Sequence, residues 1–249
     1  MRRRFLPLLL GLAATLVAGC ASDGGKRSPG APVTRAEAEV LADLLHRNHQ
    51  WGGADFVVTA PYRDDALLTL TGEIDFRHAL ARAEAVTSFA DDRPDQTRTL
   101  VFTAEDVWFV DAPGVARAGD GATHLRRQVV TDDGEGPPRL LDVVVELLMN
   151  LTARTGDDPA AFLDGDHTWE GQRSIDGRLT SLFGLEAGRM VAVAASDDLL
   201  AQFVTPLGAA GFDVTVTLAD HGRRRLEVPA DAQTVDAADH PEIAALLGL

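Results

Sequence analysis

Apolar and polar residues alternate with a period of two over long stretches of this chain, and that alternation restricts the fold more than any other feature. Between Leu68 and Phe76 every second residue is apolar or glycine, and a threonine or a carboxylate stands at each position between. Successive side chains of a β-strand point to opposite faces of a sheet, so this pattern predicts a strand with one buried face. The same alternation occurs at 212–218.

The connections between these stretches are short, which predicts antiparallel strands. Four residues separate the stretch 99–102 from the stretch 107–110, as in a β-hairpin. Asp176-Gly177 stands between two further stretches and is a strong signal for a two-residue hairpin turn. We therefore predict an α+β protein with about ten strands in a single large curved antiparallel sheet and with helices packed on one face.

The first helix is predicted to begin at Thr34 and to end at Gly52-Gly53. Glu37 stands three residues after Thr34, which makes the pattern of a capping box. The apolar residues of this segment recur at helical spacing and form one stripe, which consists of Val40, Leu41, Leu44 and Leu45.

A second helix is predicted at 140–151, where only Asp142, Glu146 and Asn150 are polar. These three positions are four residues apart and form one narrow stripe, so the rest of the helix must be enclosed. Two interpretations remain open for it. It is either an ordinary core helix or a helix that lies across a concave sheet and walls an apolar cavity.

The remaining segments give weaker signals. Short helices are predicted to start near Asp157, with proline in the first turn, and near His240. Residues 111–138 are rich in Gly, Asp and Pro and are predicted to form a surface loop. The stretch from Leu226 to Pro229 is predicted to end the last strand.

The amino terminus has the three parts of a secretory signal peptide. Three arginines precede an apolar run from Phe5 to Ala18, which at about 14 residues is too short to span a bilayer comfortably. The run ends in Leu-Val-Ala-Gly-Cys20, which resembles the lipobox of bacterial lipoproteins. In those proteins the cysteine thiol receives a diacylglycerol and the peptide is cut before it. The arginines also resemble part of a twin-arginine export motif, so the export route stays open between that route and the Sec route.

These features divide the chain into a lipoprotein signal peptide at 1–19, an acylated cysteine with a flexible tether at 20–33, and a domain at 34–249. Cys20 is the only cysteine, so no disulfide is expected. The formal net charge of −15 argues against a nucleic-acid partner, because phosphates require a basic surface. The predicted attachment to the membrane is the lipid on Cys20.

No catalytic motif stands out in the sequence. There is no Gly-x-Ser-x-Gly elbow, no phosphate-binding loop and no His-Glu-x-x-His zinc motif. Paired aspartates lie in predicted turns, where their side chains bond to the backbone. Asp164-Gly165-Asp166 likewise fits a turn better than a calcium loop, because the spaced oxygen ligands of such loops are missing. We therefore expect no enzyme activity, no cofactor and no metal site.

Two segments resemble actinobacterial lipoproteins of the LppX/LprG kind, which are similar in fold to the lipoprotein carrier LolA. The first runs from Phe102 to Val110 around Trp108, and the second runs from Phe212 to Gly222, with Val228-Pro229 after it. The resemblance implies an unclosed half-barrel with helices packed on its concave face and an apolar cavity that holds acyl chains. Relatives carry lipids or lipoglycans away from the membrane.

The family has no short ligand-binding motif, so candidate cavity residues come from the alternation alone. These lipid-binding candidates are Phe56, Val58, Leu68, Leu70, Phe76, Leu100, Phe102, Val144, Leu148, Phe212, Val214 and Val216.

Two functions are consistent with the sequence. The first is a carrier on the outer face of the cytoplasmic membrane that binds acyl chains of a lipid or lipoglycan and moves it toward the cell envelope. The second is a sensor or interaction module without lipid cargo, which regulates a membrane transporter or signalling protein by contact. The first predicts a continuous apolar cavity, and the second predicts a filled core.

Overall fold

The computed structural model describes residues 27–62, 65–130, 139–207 and 211–248. They form one sheet of thirteen strands that does not close into a barrel, with helices on one face, as the sequence predicts. The strands are β1 (Ala31–Pro32), β2 (Gly53–Tyr62), β3 (Ala66–Asp75), β4 (Leu80–Phe89), β5 (Gln96–Phe102), β6 (Asp106–Val110), β7 (His124–Gln128), β8 (Thr168–Ile175), β9 (Arg178–Gly184), β10 (Met190–Ala194), β11 (Leu200–Leu207), β12 (Phe212–Ala219) and β13 (Thr234–Asp236). The α-helices are α1 (Arg35–Trp51), α2 (Val115–Ala118), α3 (Leu140–Met149) and α4 (Pro241–Leu247).

The sheet consists of two antiparallel meanders that meet in the middle. One meander contains β2 to β7 and the other contains β8 to β12, and β12 pairs with β2 to join them. In that pairing Val216 lies opposite Val58, and both side chains are buried on the face that carries the helices. We call this the inner face. Asp176 and Gly177 connect β8 to β9 with positive φ angles of 49° and 78°, as a type I′ turn requires.

The strand count exceeds the predicted ten because three strands lack a readable alternation. Both edge strands are too short to show one: β1 has two residues, and β13 has three and pairs in parallel with β7. The third is β7, in the segment 111–138, so the prediction of a loop throughout that segment was wrong. Its inward positions are Leu125 and Arg127, and the inward arginine breaks the apolar pattern.

The prediction of a last strand at Leu226 was also wrong. Residues 221–230 contain no strand and cross the outer face of the sheet instead. Leu226 packs there against a small apolar cluster that includes Trp108, and the Nη2 of Arg224 donates a 2.6 Å hydrogen bond to Asp55. Side-chain contacts therefore hold this segment where backbone pairing was expected.

The first helix begins and ends where the sequence predicts. The backbone N–H of Thr34 donates to the Glu37 carboxylate at 2.8 Å, and the N–H of Glu37 donates to the Thr34 hydroxyl at 3.4 Å. Gly52 ends the helix with a φ of 94°, a conformation that favours glycine. Within the described residues, no helix is both long enough and apolar enough to cross a bilayer.

Hydrogen bonds fix the position of α3 and the segment after it against α1. The side-chain amide of Asn48 donates to the carbonyl of Leu151 at 2.7 Å, and the N–H of Ala153 donates to the carbonyl of Leu45 at 3.1 Å. The N–H of Asp157 then reaches the carbonyl of Ala42, one turn earlier on α1, at 2.8 Å. Residues 151–157 thus run along α1.

Candidate functional site

A cavity of about 740 Å³ lies between the inner face of β10 and β11 and the two long helices. Its volume is within the range of about 300 to 1,000 Å³ that is usual for ligand sites. Both helices and the sheet supply apolar side chains to it. The apolar lining includes Leu41, Leu44 and Leu45 of α1, Val143 and Leu147 of α3, Phe162, and Val191, Phe203 and Leu207 of the sheet.

The two sides of α3 have different surroundings. Val144 and Leu148 are completely buried in the core that α3 forms with the sheet. Val143 and Leu147 are only half-buried, because they border the cavity. The helix therefore separates a packed core from the cavity, which agrees with the second of the two interpretations of the sequence.

An ion pair inside the protein holds α3 in this position. The Nη2 of Arg127 on β7 lies 2.5 Å from the Oδ1 of Asp142, and the two side chains are only 7% and 2% exposed. The other carboxylate oxygen of Asp142 accepts a hydrogen bond from the backbone N–H of Val130 at 3.1 Å, and Arg127 donates to the carbonyl of Gln128 at 2.8 Å. The sequence pattern, in which the polar stripe of this helix is the one side that is not enclosed, was therefore wrong at Asp142, because a charged partner from the sheet meets it.

The mouth of the cavity is polar. Glu146, Asp157, Asp164 and Glu186 line it with their side chains exposed, and Arg189 is the cation in the lining. We refer to these four acidic residues as the acidic mouth. Three separate segments contribute to it: α3, the stretch 157–164, and the turn between β9 and β10.

His167 is the buried polar residue of the cavity wall. Its ring centroid lies 5.0 Å from that of Phe162, and its Nδ1 lies 3.4 Å from the Oδ1 of Asp164. The same Oδ1 accepts a 3.4 Å hydrogen bond from the N–H of Asp166, as in the predicted turn. Carboxylate oxygens of Asp164, Asp166 and Glu186 lie within 4.8 Å of one another, which makes them the one acidic group close enough to hold a cation among the residues that the structure describes.

The twelve predicted cavity residues lie together, but beside the cavity rather than around it. Phe212 is half-buried on β12, and the other eleven are buried in the packed core. None of the twelve belongs to the cavity lining. That they contact a bound ligand stays a prediction, and Cys20 lies outside the described residues. The stripe predicted on the first helix does reach the cavity, through Leu41, Leu44 and Leu45.

A second hollow, of about 550 Å³, lies on the outer face of the sheet. Charged side chains are part of its lining, among them Asp55, Glu73, Arg82 and Glu84. An acyl chain in this hollow would have to displace water from those charges, so the hollow does not suit an apolar ligand.

One histidine near the ends of the second meander has a strongly perturbed proton affinity. Burial, followed by the nearby guanidinium of Arg178, lowers the pKa of His221 to about 4. Neither ring nitrogen of His221 has a hydrogen-bond partner among the described residues. The ring is therefore neutral at pH 7.

No protein-family model matches the sequence, and no curated protein matches it. Solved structures similar to the chain include LprF from Mycobacterium bovis, with 13% identity, a TM-score of 0.44, and coverage of 82% of this chain and 99% of that one. An uncharacterized conserved protein from Thermus thermophilus has 13% identity and a TM-score of 0.39, with 81% and 99% of the two chains covered. A LolA superfamily protein from Nitrosomonas europaea has 10% identity and a TM-score of 0.27, with 78% and 96% covered.

Both LprF and the LolA superfamily protein are similar to this chain over most of their own length.

Proposed function

We propose that this protein binds the acyl chains of a lipid or lipoglycan in the cavity between α1, α3 and the inner face of β10 and β11. The observation that carries the proposal is the apolar lining of a cavity of about 740 Å³. Moving an acyl chain from a bilayer into such a cavity exchanges one apolar environment for another, so no catalytic group is needed. An open, polar mouth leaves room for a head group outside.

We further propose that the protein works on the outer face of the cytoplasmic membrane, to which a lipid on Cys20 attaches it. The signal-peptide pattern and the lipobox support this location. A carrier in this place would take lipid from the membrane and pass it toward the cell envelope, with a membrane transporter or signalling protein as a possible partner. The acidic composition supports the absence of nucleic acid from this function.

Mass spectrometry of organic extracts from the purified protein tests the lipid-binding proposal. The sample is residues 21–249, exported without the acyl anchor from a host that produces lipoglycans. We expect a stoichiometric acylated ligand. Residues 27–33 are kept because β1 pairs with β8.

A variant that fills the cavity tests whether the ligand binds there. Leu147→Trp places a larger apolar side chain in the cavity without adding charge, so we expect the ligand to be lost while the melting temperature is kept. The matched control is Leu246→Trp, because Leu246 is 63% exposed on α4 and does not line the cavity. Retention of the ligand by Leu147→Trp would show that the ligand binds outside this cavity. A stable wild-type protein without ligand would favour the alternative function, a protein-contact module.

A further inference from the structure

The carboxylates of the acidic mouth have few cationic partners. Asp43, Asp55 and Asp236, on other parts of the surface, each lie within 4.0 Å of an arginine nitrogen. At the mouth, no cationic nitrogen of a described residue lies within that distance of Glu146, Asp157 or Glu186. Asp164 has only the His167 ring beside it. The negative charge at the opening is therefore largely uncompensated.

Arg189 is the one arginine or lysine among the described residues that line the cavity, and it compensates little of this negative charge. Arg189 is exposed, and its Nε donates to the backbone carbonyl of Glu186 at 3.0 Å rather than to a carboxylate. With four carboxylates and one guanidinium, the mouth has an excess of negative charge. The carboxylates come from three segments, and those of Asp164 and Glu186 lie within 4.8 Å of each other.

The charges of the acidic mouth lie where the head group of a bound lipid would be. When acyl chains fill the apolar part of the cavity, the head group of the lipid remains at the mouth. An anionic head group there is close to these exposed carboxylates, so it is repelled, and the repulsion weakens as salt increases. A head group with hydroxyl or ammonium hydrogens can instead donate hydrogen bonds to the carboxylates.

We infer that the cavity selects lipids whose head groups carry no negative charge, and that Glu146 and Glu186 are specificity-determining residues that disfavour anionic phospholipids. The inference rests on the proposed function, because it concerns the head group of a lipid in the same cavity. Glu146 stands on α3 and Glu186 in the turn between β9 and β10, so the two carboxylates act from different walls of the mouth.

Binding of lipids with identical acyl chains tests this inference. The full mature chain with Cys20→Ser is titrated, at low ionic strength, with dioleoylglycerol, which is uncharged, and with dioleoylphosphatidylglycerol, which is anionic. Displacement of a neutral fluorescent acyl probe reports both affinities. We expect the uncharged lipid to bind at least about tenfold more tightly, and the ratio to shrink at high salt.

Charge variants then locate the selectivity. The double variant Glu146→Gln/Glu186→Gln is expected to reduce the preference at least about threefold, mainly through tighter binding of the anionic lipid. The control is Glu227→Gln/Asp239→Asn, which removes the same charge from exposed positions outside the cavity lining. We expect the control to keep the wild-type preference.

Three results would contradict the inference or the proposed function, and the experiment distinguishes them. Equal binding of the two lipids by the wild-type protein overturns the inference and leaves the proposed function intact. An equal loss of preference in the two double variants shows that net charge, not the acidic mouth, determines selectivity. Binding of neither lipid contradicts the proposed function itself, and the inference with it.

Discussion

The two halves of the inner face follow the same alternation, yet one half is packed and the other encloses a cavity. On the first meander, Phe56 and Phe102 are completely buried in a core that also contains Leu148 of α3. On the second meander, Phe203 and Leu207 point to the same face but are only half-buried, because the cavity lies between them and the helices. A period of two therefore determines which face a side chain occupies, but not whether it meets a partner across the interior.

The largest expected effect is a difference in the stability cost of removing a phenylalanine ring from each half. Phe102→Ala leaves a new void in a packed core and should lower the free energy of unfolding by about 3–5 kcal/mol. Phe203→Ala enlarges a cavity that already exists, so we expect a cost below about 2 kcal/mol. Urea denaturation of both variants without ligand measures the difference. Equal costs would show that the second half is packed as well as the first.

The second prediction concerns α3, the helix that separates the packed core from the cavity. Asp142→Ala leaves the buried charge of Arg127 without its partner, so we expect a loss of about 3 kcal/mol or more in the free energy of unfolding. The matched control is Asp236→Ala, which breaks the half-exposed pair with Arg126 on the same strand and should cost less than about 1 kcal/mol.

A double variant shows whether the ion pair itself is needed. Arg127→Met/Asp142→Leu replaces both charges by apolar groups and should recover most of the stability lost in Asp142→Ala. Failure to recover would mean that the hydrogen bond from Val130 to Asp142, rather than the ion pair, fixes α3.

The smallest expected effect is a pH dependence located in the cavity half. The pKa of His221 is lowered from 6.5 to about 4, so the folded protein binds this proton more weakly than the unfolded chain does. The stability that this residue contributes is complete above pH 6.5 and is lost as the pH falls toward 4. The slope is at most about 1.4 kcal/mol per pH unit, because one proton is involved, and partial exposure of the ring reduces it further.

Denaturation between pH 7 and pH 4 measures that slope. His221→Gln should have a smaller slope than the wild-type protein. Hydrogen exchange should increase first in β8 to β12 on acidification, because Arg178, the first residue of β9, and Asp197, between β10 and β11, influence His221 and belong to that half. A slope unchanged by His221→Gln would contradict this assignment.

Local signals predicted much of the fold. The capping box at Thr34, the hairpin turn at Asp176-Gly177 and the apolar segment at 140–151 each correspond to an observed element. Each of these signals depends on residues close together in the sequence. The strand β7 was missed because its inward Arg127 is explained only by Asp142, a partner on another element.

The site was harder to predict than the fold for a related reason. The strongest alternation selects the largest apolar side chains, and these are the ones that meet across the interior and fill it. The cavity is bordered instead by β11, where Thr205 and Pro206 interrupt the pattern. The weaker apolar pattern on the second meander was the signal in the sequence that pointed to the cavity.

The pairing of β1 with β8 limits the length of chain that can separate the domain from the anchor proposed at Cys20. Gly30 donates a backbone hydrogen bond to Trp169 at 3.0 Å, Val33 donates to His167 at 3.3 Å, and the Arg27 guanidinium stacks 4.9 Å from the Trp169 ring. With the anchor proposed at Cys20, seven residues of chain link the lipid to Arg27, and they extend at most about 25 Å. The chain enters the domain beside His167, a residue of the cavity wall. With that anchor, the domain would stay within this distance of the bilayer, and an acceptor would have to come equally close to receive the proposed lipid.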